Sequence, residues 1–359
     1  MKRILSKITL LILLSPLLCL AGSPGWTGKY TKEKKINKEF TVSPDALLKI
    51  DNSYGNLYIT SWNENRTVIE VHIKTNSNSE DKAQKKLDQI TVEFDANSGM
   101  VSAKTIFEKS SWGWNWGNNN NVSMEINYTV KVPVGNHVDL SNDYGSINLD
   151  RLDGNAEISC DYGRIDIGYL NGNSNRLSFD YTSKSEIEYV KNARISADYS
   201  GYTIAKAGNL EISADYTNST IEEAANVEYS CDYGSFKIDK AGNVKGSGDY
   251  VTIRLGEIHG NVELSSDYGS IRIDELAADA GNVAISSDYT GIKIGYNSGY
   301  HFDFEIKMEY AGLGGGENFQ YNIKRERSTE KYYTGYHGST GKNKLAISTD
   351  YGSVQFNQK

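Results

Sequence analysis

The chain has 359 residues, 46 Asp and Glu against 38 Lys and Arg, a formal charge of −8 and a pI near 5.3. So acidic a chain is a poor electrostatic partner for phosphate backbones, which argues against nucleic-acid binding. Abundant Tyr, Asn and Ser beside little Leu and Ala favour strands and turns over helices, and the length is ample for a core of one or two domains.

Residues 1–21 read as a secretory signal peptide. Lys2, Arg3 and Lys7 form a charged start, residues 8–20 are apolar but too short to span a bilayer comfortably, and Cys19-Leu20-Ala21 suits cleavage before Gly22. A lipoprotein signal acylated at Cys19 is the alternative, although Leu18 sits where such a site wants Gly, Ala or Ser. No other stretch is apolar for long enough to cross a membrane. The mature chain is therefore expected in the cell envelope, on the periplasmic or the outer side, or secreted. Loss of the three leader cations takes its charge from −8 to −11.

Residues 22–36 read as a linker and 37–136 as a β-rich capping unit. Its strands are expected at 68–75 (VIEVHIKT), 90–95, 101–108 and 122–134. Residues 79–89 (SEDKAQKKLDQ) form the one good helix candidate, with Ser79 as N-cap. Between the last two strands lies SSWGWNWGNNNNVS. Trp112, Trp114, Trp116, Asn118 and Asn119 are the candidate ligand surface, a wet aromatic platform for a glycan or a protein partner. The competing reading is a hairpin tip whose rings fold back on the sheet.

Residues 137–297 carry a repeat. Asp-Tyr recurs with its Tyr at 144, 162, 181, 199, 216, 233, 250, 268 and 289, and again at 351. Ser53-Tyr54 and Glu309-Tyr310 are degenerate copies. From Tyr144 to Tyr268 the step is 17 to 19 residues. Around each Tyr, apolar residues alternate with polar ones. Ile158, Cys160 and Tyr162 share one parity, and Ile165 and Ile167 follow after Gly163. Alternation of this kind marks a strand, a bend and a second short strand. Turns at Gly208-Asn209, Gly242-Asn243, Gly260-Asn261 and Gly281-Asn282 end the copies.

A strand pair of about 18 residues cannot fold alone, whereas stacked copies bury a continuous core. The pattern predicts an all-β fold: a parallel β-solenoid with the N-terminal unit and its single helix as a cap. Nine windings would make a rod of roughly 40 Å. Right-handed winding follows from the general handedness of parallel crossovers.

Parity places Tyr144, Tyr162, Tyr181, Tyr199, Tyr216, Tyr233, Tyr250, Tyr268 and Tyr289 on the inner side of the bend as a structural ladder of stacked rings. The alternative is an outward column that binds sugar or another aromatic surface. The Asp column points out. Each carboxylate is expected to accept backbone N–H groups at its own bend, with a row of calcium sites as the other option and no other cofactor. Cys160 and Cys231 share a slot four windings apart, about 19 Å. That is beyond the ~7 Å between Cα atoms that a disulfide allows, so both are expected to be free, buried thiols. Residues 298–359 break the spacing. A strand at 302–310 precedes an excursion or hairpin over 318–344, and the final motif, 346–356, is expected to close the rod.

Three features together resemble the bacterial putative-adhesin β-strand-repeat family, and more distantly the heads of auto-transporter adhesins. They are the opening segment 47–60, the strand 122–133 ending in VKVP and the iterated SxDYGSIxI, and the likeness covers residues 40–356. It implies an exported, right-handed, single-stranded β-solenoid with an adhesive role, and it defines no functional residues to carry over. Parallel β-helices also host polysaccharide lyases and hydrolases. Here the outward Asp166, Lys237, Arg272 and Lys293 make a mixed-charge face. The histidines 72, 137, 259, 301 and 337 form no HExxH or triad spacing. The sequence therefore reads as a non-enzymatic envelope or surface protein that binds a glycan or a protein. A polysaccharide-cleaving β-helix enzyme and a calcium-stabilised scaffold are the alternatives.

Overall fold

Strands one repeat apart pair in parallel and in register, so the Asp-Tyr spacing is also the spacing of the ladder. Ile158 lies beside Leu140 on one side and Leu177 on the other, and Ile212 beside Ile195 and Tyr229. The structure, a computed structural model, describes residues 26–108 and 122–359. Among these residues it is all-β, with 27 strands joined in one sheet and one helix.

Two columns of strands flank each corner. The arm before the Tyr includes His137–Asp143, Ala156–Asp161 and Asn175–Asp180, and the arm after it Ile147–Leu152 and Ile165–Leu170. In the middle repeats the ladder runs through the expected Gly-Asn turns. Ser185–Asp198, Gly201–Asp215, Asn218–Ser230 and Gly234–Ser247 each serve both columns as one long bent strand. Asn192, Asn209, Asn226 and Asn243 stay in register there. The inward residues form one apolar core from Val42 to Phe356.

At its two ends the parallel ladder gives way to antiparallel pairing. At the N-terminal end, Met100–Phe107 stacks on Leu47–Ser53 and Ser123–Pro133 on Leu57–Trp62, both in parallel. Beyond them the pairing turns antiparallel, through Arg66–Ser77 to Tyr30–Thr41 and through Ile90–Asn97. The helix Glu80–Asp88 has Ser79 as its N-cap, its side chain accepting the Lys82 N–H at 3.4 Å, and it buries Ala83 and Leu87. From Tyr30 onward the stretch read as a linker is strand. It lacks a fully buried face because it is an edge. Lys32, Lys34, Lys35 and Lys38 line it and disfavour further pairing.

The C-terminal end departs from expectation. The final motif does not close the rod. Lys344–Asp350 slots between Val283–Asp288 and Phe302–Glu309, parallel to both. The reason is edge occupancy. The expected hairpin, Gln320–Glu326 with Glu330–His337, pairs antiparallel with the outer edge of Phe302–Glu309, leaving only its inner edge for the returning chain.

Cys160 and Cys231 are free and fully buried. They occupy the column of residues two before Tyr. Most of that column is small, Phe179 and Met308 being the large exceptions, and the corner backbone of the neighbouring repeat lies close to it: the Cys160 Sγ is 3.3 Å from the Gly145 carbonyl oxygen.

Candidate functional site

The tyrosines face outward, which corrects the parity expectation. All twelve, from Tyr54 to Tyr351, have φ between 50° and 64°. Alternation of sides holds only for extended residues. One left-handed residue turns the chain, so Cys160 points in, Tyr162 points out, and Ile165 points in again. The corner is clamped between repeats. Each Tyr N–H except that of Tyr310, the last in the stack, donates to the carbonyl of the acidic residue before the next ring, at 2.9 Å from Tyr144 to Asp161 and 3.0 Å from Tyr162 to Asp180. The Asp carboxylates also reach across rather than within the bend. Asp180 Oδ1 accepts the Asp198 N–H at 3.1 Å, and Asp215 Oδ1 that of Asp232 at 3.0 Å.

The rings form a single stack. Its order is Tyr54, 144, 162, 181, 199, 216, 233, 250, 268, 289, 351 and 310, with centroids 4.8–5.2 Å apart and planes within 9° of parallel. Tyr351 precedes Tyr310 because its strand slots one layer inside. Phe107 closes the N-terminal end edge-on against Tyr54 at 6.0 Å. Except for Tyr54, each ring is about half exposed, 46–54%. Neighbours cover the ring faces, so solvent meets a row of edges and hydroxyls. Withdrawal from water, then the neighbouring rings and carboxylates, push the Tyr162, Tyr216, Tyr268 and Tyr351 hydroxyls above their ordinary range.

Beside the Asp column runs a serine column. Ser141, Ser159, Ser178, Ser196, Ser213, Ser230, Ser247, Ser265, Ser286 and Ser348 are register partners in succession. From Ser196 onward these serines are exposed, and their hydroxyls have no partner among the described residues. Sequence reasoning treated this column only as part of the SxDY signature. Further out lies a self-paired asparagine ladder, with Asn209 Nδ2 donating to Asn192 Oδ1 and Asn226 Nδ2 to Asn209 Oδ1, both at 2.7 Å. A hollow of about 730 Å³ follows this ladder from Asn173 to Asn261. It adjoins another of about 460 Å³ over Ser247, Ser265, Ser286 and Ser348, with Glu228, Lys245 and Glu263 on both.

The other charged face is paired within itself. Lys237 meets Asp239 at 2.9 Å, and Arg254 reaches Asp274 at 2.9 Å. Burial would raise the Asp274 carboxyl, but hydrogen bonds and charge from Arg272 and Arg254 hold it below the usual range. Among the described residues no three His, Cys, Asp or Glu side chains are arranged to hold a metal ion. Trp112, Trp114, Trp116, Asn118 and Asn119 lie outside the described residues.

No family profile and no curated protein matches the chain. Solved structures do. A putative cell adhesion protein from Clostridium sporogenes is 11% identical, covering 91% of this chain and 100% of its own, with a TM-score of 0.17. A putative adhesin from Parabacteroides merdae is 10% identical, covering 90% and 96%, with a TM-score of 0.33. The chain resembles proteins named as putative adhesins. A putative lipid binding protein from Parabacteroides distasonis is also similar, at 12% identity, covering 90% and 96%, with a TM-score of 0.29. Among the described residues no helix is long and apolar enough to cross a membrane.

Proposed function

We propose that this chain is an exported, non-enzymatic, adhesin-like envelope protein. Its repeats wind as a right-handed parallel β-solenoid, and its tyrosine column is the strip that meets a glycan or protein partner. The leader pattern of residues 1–21 supports export. The N-terminal β unit and the C-terminal hairpin act as caps around the repeats.

The observation that carries this reading is twelve outward tyrosines at left-handed corners, eleven of them about half exposed. Such a backbone costs a non-glycine residue about 1–2 kcal/mol, and glycine adopts it freely. Each stack returns about 0.5–1.5 kcal/mol. The two terms cancel to first order, so stability alone does not select Tyr over Gly at every corner. A line of exposed aromatic edges and hydroxyls is what the choice of Tyr adds, and exposed apolar strips on this scale mark contact surfaces. The side chains around it are filed by kind along the stack rather than converged on one point, which suits binding better than turnover.

The test is retention of the mature chain on immobilised glycans and on collagen and fibronectin. The comparison is a variant with Tyr199, Tyr216, Tyr233 and Tyr250 changed to Asn, which tolerates the left-handed corner. Wild type should be retained on at least one surface and the folded Asn variant at least tenfold less. Equal retention of the two, or none by either, would overturn the reading.

A further inference from the structure

The hollows beside the serine column point to a ligand class. We propose that they form one groove for a neutral, extended polysaccharide lying along the stacking axis. This inference rests on the surface-binding reading above and adds a site separate from the tyrosine strip.

Charge is the first support. Four cations, Arg176, Arg194, Lys245 and Lys307, line the two hollows, and so do four carboxylates, Glu211, Glu228, Glu263 and Glu305. They balance although the chain carries −8. All but Arg176 pair among themselves, Arg194 with Glu211 at 2.7 Å, Lys307 with Glu305 at 2.9 Å, and Lys245 with Glu228 and Glu263 at 3.9 Å. Such a lining offers no net attraction to a polyanion or a polycation.

Hydrogen-bonding capacity is the second. The asparagine amides are largely occupied by one another, while the hydroxyls of Ser247, Ser265, Ser286 and Ser348 face the hollow without a partner among the described residues. A ligand rich in hydroxyls matches them as donor and acceptor.

Period is the third. The same hydroxyl recurs once per strand, about 4.8 Å. An extended chain of sugar rings advances by roughly that spacing per ring, about 5 Å, whereas an extended peptide advances about 3.3 Å per residue and loses register. A repeating ligand then makes many weak contacts on a rigid row, and their effect multiplies with length.

Affinity electrophoresis of the mature chain tests this. Gels would contain hydroxyethyl cellulose, mixed-linkage β-glucan or mannan as neutral polymers, and polygalacturonate as the anionic one. Retardation is expected in at least one neutral gel and not in polygalacturonate. A hexasaccharide of the retarding polymer should bind at least tenfold more tightly than its disaccharide. The triple variant Ser247→Ala, Ser265→Ala, Ser286→Ala should lose at least fivefold in affinity, because Ala removes the hydroxyl and adds no bulk to the groove. The pair Ser141→Ala, Ser159→Ala, outside the groove, should lose nothing. No retardation in any neutral gel, equal retardation by polygalacturonate, or an unaffected triple variant would overturn the groove. If the Tyr→Asn variant loses surface retention while the serine triple variant has no effect on polysaccharide binding, the groove fails and the tyrosine strip stands. If the tyrosine variant has no effect and the serine variant does, the strip fails and the groove stands.

Discussion

Tyr199 and Tyr216 lie ring on ring, with centroids 4.8 Å apart, planes 1° from parallel and both residues at positive φ. Replacing Tyr216 with Ala removes two stacks and keeps the unfavourable backbone, at an expected cost of about 1–3 kcal/mol. Tyr216→Gly removes the same stacks but relieves about 1–2 kcal/mol of left-handed strain. Glycine should therefore be the milder change, the reverse of the order in an extended strand. Urea denaturation of both variants checks the sign.

Alkaline titration reads the same column. The raised hydroxyls of Tyr162, Tyr216, Tyr268 and Tyr351 reflect withdrawal from water first, then repulsion from neighbouring rings and carboxylates. Their ordinary value is 10.0. The unfolded chain ionises first, so this contribution to stability is complete below pH 10 and is lost as pH rises through the folded values. Phenolate absorbance of the native protein should rise later than that of the urea-unfolded protein, and stability should fall above about pH 10. Coincident titration curves would show that the rings do not shield one another.

Repeat spacing and parity were sufficient to read the parallel pairing of Ile158 with Leu140 and Leu177, and the SEDK start was sufficient for the helix capped by Ser79. The direction of the tyrosines was not legible, because parity assumes an extended residue and gives no sign of a left-handed one. The place of Lys344–Asp350 was hidden for another reason: order along the chain does not encode order in a stack, and the deciding fact is which edge of Phe302–Glu309 the hairpin covers. Strand Tyr30–Thr41 carries no buried stripe to announce it. The serine column was in plain view within SxDY, but a small exposed polar residue leaves no trace of its role in hydropathy.

The thiols give a third test. Burial, followed by nearby aspartates, pushes Cys160 and Cys231 up to about 12. Thiolate is the reactive form, and neither side chain is exposed. Native protein should resist iodoacetamide at pH 8, and urea-unfolded protein should take up two labels on the mature chain. Rapid labelling of the native protein would mean that the corner column opens to solvent.

Tyr229 and Gly246 are register partners in the column that otherwise holds Ile195, Ile212 and Leu264. The large ring lies over Phe236 with centroids 3.9 Å apart, and it takes the space a side chain at Gly246 would need. A Cβ there would meet the Tyr229 ring at 2.0 Å. Gly246→Ala should therefore cost about 1–3 kcal/mol through overpacking, although alanine normally improves on glycine in a strand. The Tyr229 hydroxyl is buried without a partner among the described residues, so Tyr229→Ile removes an unsatisfied group while leaving a gap. Tyr229→Ile with Gly246→Leu restores the column's usual filling and should recover most of the loss. The double-mutant cycle should yield a favourable coupling of at least about 1 kcal/mol. Strict additivity of the two changes would show that the neighbouring repeats do not share this volume.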